Sequence, residues 1–245
     1  PDVIAYCEKH FAEVGDTARR LGVRISFHPG QFTVLASESD DIIKRSIEEF
    51  EYHVSMARWM GYGKTFQDFK INVHISGKRG PQGIIDVLPK LTPEARNTIT
   101  IENEEMKWGL DDILELEKHV ALVFDIHHHW VNCGEWISVD DDRIKRIINS
   151  WRGVRPAMHY SQPRESLQNK VDAHKLLDRE DLFTQGENRA TIRAHSDYYW
   201  HKPTNDWVKP FGEYFDIQCE SKAKNLASAM LAHEYKLIKT GSVDF

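Results

Sequence analysis

"VFDIHHHW", residues 123–130, sets Asp125 and three consecutive histidines, His127, His128 and His129, behind a short apolar run. Carboxylate and imidazole groups at the edge of an apolar core are costly to desolvate unless something pairs them, and a metal ion is the usual partner. Side chains of the same kind recur in the same relation elsewhere. Six short β-type runs, "VRISFH" (23–28), "FKINVHIS" (69–76), "TITIEN" (98–103), "ALVFDIH" (121–127), "AMHYS" (157–161) and "FDIQCES" (215–221), carry His28, His74, Glu102, Asp125, His159 and Glu220 at or near their C-terminal ends. The chain has 13 histidines and 38 acidic residues among 245. Six matches in six runs then arise by chance only about 2% of the time. Imidazole with carboxylate suits Zn²⁺, Mn²⁺ or Fe²⁺, whereas calcium sites want mostly oxygens and structural zinc sites want thiolates. The inventory fits two or three ions better than one. Clustered divalent ions stabilise the attacking and leaving oxygens of an in-line displacement at phosphorus, so the chemistry indicated is phosphoester hydrolysis. A lone His74 or His159 in a strand is more often a hydrogen-bonded core histidine; only the set taken together reverses that reading.

The elements that must position these groups are strands alternating with helices. Between the runs lie "DDIIKRSIEEFEYHVSMARWMG", "LDDILELEKH" and "DDDRIKRIINSW", and "KAKNLASAMLAHEYKLI" follows the last, all with apolar residues three or four apart. Asp or Ser residues open the helices and Gly61 closes the first. This alternation predicts a parallel sheet covered by helices, an α/β fold of the TIM-type (β/α) barrel kind, in which the C-terminal strand ends meet on one face. The segment 162–194 breaks the rhythm as a long polar loop insertion, with a helix possible at "NKVDAHKLLD". Residues 1–245 otherwise read as a single domain. The chain opens at Pro1, directly into the amphipathic stretch "VIAYCEKHFAEVGDTARRLG", and the expectation is that sequence is missing upstream.

Composition narrows the class. The formal charge of −6 argues against a general polyanion binder, although bound cations would reverse the sign locally. No apolar run approaches the ~20 residues needed to span a bilayer. Cys7, Cys133 and Cys219 are scattered and odd in number, which fits a reducing cytoplasm. No obligate protein partner is implied, and a monomer is expected.

The segments "HPGQF", "HISGK", "TIENEE", "FDIHHH", "MHYS", "AHSDYY" and "DIQCESKAK" resemble, in order, the signature segments of the UV damage endonucleases, across about residues 20 to 230. That resemblance implies a barrel like those of endonuclease IV and the xylose isomerases. It also implies divalent metal ions, usually manganese, and nicking of double-stranded DNA immediately 5′ of ultraviolet photoproducts and some other lesions. Carried over residue by residue, it implies metal ligation by His28, His74, Glu102, Asp125, His128, His159, His195 and Glu220. Strand alternation alone would pair Asp125 with His127, but the family motif takes the histidine three positions after the acid, His128. The resemblance further assigns lesion probing to Gln31 and Phe32, a flat side chain filling the gap left by extruded bases and an amide reading base edges.

Three departures from the family pattern stand out. Phe32 replaces a frequent tyrosine. Ala157 stands where a lysine, modified to a carboxylate in some members, usually supplies a bridging negative ligand. The family's first two barrel strands would lie before Pro1, leaving six strand–helix units where eight are expected.

The reading is a metal-dependent DNA repair endonuclease holding one to three ions. Glu102 and Glu220 are bridging candidates, and Asp125 is both ligand and polariser of the attacking water. Mn²⁺ is the expected ion, with Zn²⁺ or Fe²⁺ as alternatives. A sugar isomerase or epimerase of the same barrel superfamily is the runner-up, marked by a deep closed pocket. A lesion-binding protein with weak or no catalysis is the third reading.

Overall fold

Each of the six runs becomes a strand because its alternate positions are apolar and aliphatic or aromatic, the pattern of a sheet packed on its outer face by helices. In a computed structural model, which describes residues 2–235, the strands are β1 (Ser26–Phe27), β2 (Lys70–His74), β3 (Ile99–Glu102), β4 (Ala121–Asp125), β5 (Ala157–Tyr160) and β6 (Asp216–Cys219). They form one all-parallel sheet in the order β1-β2-β3-β4-β5-β6. The edges curl toward each other: Gln218 Nε2 of β6 donates to Ser26 Oγ of β1 at 3.1 Å, and Arg24 reaches Asp216 at 2.7 Å. The sheet is therefore a curled half-barrel.

The helices are α1 (Asp2–Leu21), α2 (Asp40–Trp59), α3 (Gly80–Val87), α4 (Pro93–Thr98), α5 (Leu110–Ile113), α6 (Ile126–Cys133), α7 (Asp142–Ser150), α8 (Arg179–Thr184), α9 (Arg189–Ile192), α10 (Lys202–Val208) and α11 (Asn225–Glu234). Their apolar stripes cover the outward strand residues Ile71, Val73, Ile101, Leu122, Phe124, Met158 and Tyr160 in one continuous core. The expected caps are present. Ser39 accepts the N–H of Ile42 at the start of α2, and Gly61 takes φ +89° just past its end, where a side chain would be strained. None of these helices is long and apolar enough to cross a membrane.

The inward positions differ in kind around the sheet. Ala121, Val123 and Ala157 pack with buried Trp151, which fills the interior beside β4 and β5. The other inward residues are polar: Ser26, Lys70, Asn72, Thr100 and Gln218, then the ligand-type residues at the rim. The register sets His74 beside Glu102 and Asp125 beside His159.

Two elements depart from the sequence reading. The run ending in Asp125 turns into α6 at once, so the histidines after it are helical. Segment 162–194 carries a 3₁₀ turn (Glu165–Lys170) with α8 and α9, and no helix runs through 169–178. Leu167, Leu177, Leu182 and Ile192 from this segment cluster with Trp130 and Val131 of α6. Apolar residues spaced through a polar stretch gain burial against a helix that the sequence did not announce. Of the final predicted helix, 222–238, residues 236–238 lie outside the described residues.

Candidate metal centre

The rim gathers the candidate ligands because every strand runs the same way. His28 leaves β1, His74 and Glu102 end β2 and β3, Asp125 ends β4, His159 points inward from β5, and Glu220 follows β6. Glu102, fully buried, is the hub. Its Oε2 lies 3.3 Å from His28 Nε2, and its Oε1 lies 3.1 Å from His159 Nδ1 and 3.4 Å from His128 Nδ1. Glu220 Oε1 is 3.0 Å from the same His159 nitrogen. His74 completes the ring, with its imidazole 4.8 Å from that of His28 and 5.2 Å from that of His128.

Asp125 performs two local tasks. As the N-cap of α6 its Oδ1 accepts the His128 backbone N–H at 2.7 Å, an ordinary helix start. One helical turn then brings His128 back over the acid, with Nδ1 3.8 Å from Oδ2. Strand alternation fails at this point because the backbone has become helical, where residues three apart share a face. Asn103 fixes the acid from below, exchanging two 2.9 Å bonds with the Asp125 backbone. His28 Nδ1 lies 3.0 Å from the Pro29 carbonyl, which turns Nε2 toward Glu102.

Charge in the cluster is balanced by protons. Burial opposes the imidazolium of His159, but Glu102 and Glu220 outweigh it and lift the group to about 10. Burial likewise opposes charge on His128, and Asp125, Glu102 and Glu105 lift it to about 9. Burial also works against ionised Glu220, yet His159 draws it down to about 2. Asp125 goes the other way, pushed up to about 7 chiefly by burial. Its Oδ2 is buried with no hydrogen-bond partner, a position whose cost a cation would remove.

Seven of the eight expected ligands fall into three overlapping groups whose donor atoms lie within 4.8 Å of one another: His28–His74–Glu102, His28–His159–Glu220 and Glu102–Asp125–His128. The mix of imidazole nitrogen and carboxylate oxygen, with an orphaned carboxylate oxygen among them, fits divalent cations. His195 is in none of the three. It sits at the margin, bridged by its backbone to Pro163 and with its ring 5.5 Å from that of buried His127.

Gln31 and Phe32 follow His28 on the loop after β1. Phe32 is 85% exposed. Gln31 lines a cleft of about 370 Å³ together with His74, Glu105, His128 and Arg193. Phe32 borders a second cleft of about 610 Å³ that includes Arg45 and Glu49, and Gly30 and Thr33 line both.

Sequence reasoning missed the layer beneath the ligands. Lys70 is the one buried lysine among the described residues. Its Nζ donates to Gln218 Oε1 and lies 3.0 Å from His159 Nε2. Burial pulls its amine down to about 8 against the attraction of Glu102 and Glu220. Asn72 donates to Glu102 Oε2 and accepts from Thr100 at 2.8 Å. The signal was present, since Lys70, Asn72 and His74 are alternate residues of "KINVH", a polar inward stripe in an otherwise apolar strand.

A profile described as UV-endonuclease UvdE matches residues 2–243. A UV DNA damage endonuclease of Bacillus pumilus is 27% identical, the alignment covering 97% of this chain and 70% of that protein. Among solved structures, SacUVDE superposes with a TM-score of 0.70 at 23% identity, over 94% of this chain and 72% of that one. Endonuclease IV from Thermus thermophilus superposes with a TM-score of 0.62 at 11% identity, over 94% and 80%. The two structural likenesses bear on the fold, that of a TIM-type barrel, and the profile match over nearly the whole chain bears on descent: the protein belongs to the UV-endonuclease UvdE family.

Proposed function

We propose that this chain is a metal-dependent endonuclease that nicks double-stranded DNA 5′ of ultraviolet photoproducts and related lesions. The observation that carries the proposal is the set of three overlapping ligand groups at the strand ends, beside a loop that holds an 85% exposed phenylalanine. An aromatic side chain in water next to a polar rim is misplaced for packing and suited to stacking on bases.

The ligands in this reading are His28, His74, Glu102, Asp125, His128, His159 and Glu220, with His195 as an outer member. Mn²⁺ is the proposed ion, with Zn²⁺ and Fe²⁺ as alternatives, since no thiolate enters the three groups. Bound cations would polarise the scissile phosphate and ease deprotonation of a nearby water. The protein's part is positional. Glu102 spans two of the groups and keeps their spacing, with Asn72 holding its Oε2. Asp125 offers Oδ2 as an acceptor that no other group among the described residues uses, the atom suited to orient the attacking water. Glu220 spreads negative charge to the far side of His159. Gln31 and Phe32 probe for the lesion from the rim.

Three unpaired cysteines support the cytoplasmic location that belongs to this proposal, as do the single-domain organisation and monomeric state expected from the sequence. The test is a duplex oligonucleotide carrying one photoproduct, incubated with and without Mn²⁺. Incision immediately 5′ of the lesion, abolished by chelator and by Glu102→Gln, is expected. Binding to the lesion without incision in the presence of Mn²⁺ would turn the assignment into that of a lesion-binding protein.

A further inference from the structure

Beyond the rim, one other group of ligand-type side chains comes together among the described residues, around the end of α6. His129 and Cys133 are four apart on this helix, hence on one face, and Glu135 follows its end. One donor atom from each lies within 4.8 Å of the others. His129 Nε2 is 3.3 Å from Glu135 Oε2, and Cys133 Sγ is 3.5 Å from the same nitrogen. A tetrahedral zinc ion bonded at ~2.0–2.1 Å to nitrogen, ~2.0–2.2 Å to oxygen and ~2.3 Å to sulfur separates nitrogen from oxygen by about 3.3 Å and nitrogen from sulfur by about 3.5 Å. The nitrogen–oxygen edge of a zinc polyhedron is therefore already in place without the ion, whereas Cys133 Sγ, 3.5 Å from Nε2 and 3.7 Å from Nδ1, lies over the imidazole ring and reaches the Nε2 side by rotation about its Cα–Cβ bond.

The surroundings favour a cation. Glu135 is held through both oxygens by Arg143, at 3.0 and 2.7 Å, so its carboxylate is fixed before anything binds. Arg143 is itself shared with Asp141 at 2.9 Å and Asp111 at 4.0 Å. Three carboxylates around one guanidinium leave a net negative charge beside the histidine and the thiol. His129 is buried to 4% exposure against Phe124, which limits its freedom, while Cys133 and Glu135 are exposed and leave the fourth corner to a water.

We propose that His129, Cys133 and Glu135 form a second metal site, specific for zinc-like cations by virtue of its thiolate and separate from the centre at the strand ends. Binding releases the Cys133 proton to solvent and forms N–Zn, S–Zn and O–Zn bonds. It ties the last turn of α6 to the residue after its Gly134 cap. The first turn of that helix carries His128, so the second ion braces the helix that presents a ligand to the first centre.

Co²⁺ titration of the metal-free protein, residues 1–245, tests this, because a thiolate ligand gives a near-ultraviolet charge-transfer band that imidazole and carboxylate ligands do not. The band should appear in the wild type, persist in Cys7→Ser and Cys219→Ser, vanish in Cys133→Ser, and need more cobalt in His129→Asn. Cys133 is exposed, so its serine variant should fold, and circular dichroism checks this. Absence of the band in the wild type overturns the proposal. So does its survival in Cys133→Ser or its loss only in Cys219→Ser, whose thiol is next in sequence to Glu220.

Discussion

Asp125 divides its carboxylate between two jobs: Oδ1 accepts the backbone N–H of His128 at 2.7 Å, and Oδ2, equally buried, accepts nothing. A helix cap needs only a neutral acceptor, whereas a metal ligand needs the charge. Asp125→Asn should therefore keep most of the stability of α6 and lose metal affinity and nicking by orders of magnitude. Asp125→Ala should lose the cap as well, at a further cost of ~1 kcal/mol. Thermal unfolding beside metal titration separates the two, and equal metal affinity in wild type and Asp125→Asn would remove Asp125 from the ligand set.

The pH dependence of stability should differ between metal-free and metal-loaded protein. His128 and His159 are lifted from their ordinary 6.5 to about 9 and about 10. Groups raised on folding contribute stability that is complete below the unfolded value and lost as pH climbs through the folded one. Asp125, raised to about 7, acts in the same direction from its ordinary 3.8 upward. Glu220, lowered to about 2, adds stability above its ordinary 4.5 that is lost on acidification. Together these four groups contribute most to the metal-free protein between about 4.5 and 6.5, and their contribution should fall on going to pH 9, against buried histidines such as His74 and His127 whose lowered values add stability above 6.5. Ligation replaces those imidazolium protons, so the loaded protein should lose much less, and the gap between the two melting curves should widen with pH. A gap that narrows above pH 7 would mean the histidines do not ligate.

Phe32 offers a contrast with the core. Truncating a buried phenylalanine costs ~3–5 kcal/mol, but Phe32 is 85% exposed. The double change Gln31→Ala, Phe32→Ala should shift stability by less than ~1 kcal/mol and sharply reduce the preference for damaged over intact duplex in a competition binding assay. A large drop in melting temperature with preference intact would assign Phe32 to packing.

Lys70 brings a positive charge to the floor of the proposed cation site, 3.0 Å from His159 Nε2. Like charges in a poorly screened interior repel strongly, so Lys70→Met should tighten Mn²⁺ binding several-fold by calorimetry. The same change removes one of two partners of Gln218 Oε1, leaving His159 Nε2 at 2.9 Å, and should cost ~1 kcal/mol of stability in the metal-free protein. Weaker Mn²⁺ binding in Lys70→Met would instead show that the amine supports the ligands.

The strand–helix alternation, the parallel sheet and six of the candidate ligands could be read from the chain alone, because period-two apolar runs ending in His, Asp or Glu are a local pattern. His128 and the proposed lesion-probing pair, Gln31 and Phe32, needed the family resemblance. Nothing in "FDIHHH" announces that helix α6 begins inside it, and only the helical turn closes His128 onto Asp125. Tertiary structure decided the rest. Glu102 became the hub because curling of the sheet brings β1, β5 and β6 around β3, a closure set by twist and by contacts nearly 200 residues apart, such as Ser26 with Gln218. Lys70 lies beneath the ligands for the same reason, since a long flexible side chain from β2 reaches His159 of β5 only across the barrel interior. The polar stretch 162–194 hid its structure because its apolar residues follow neither period. They are buried by α6, and a residue's burial against a distant element is not written in its neighbours.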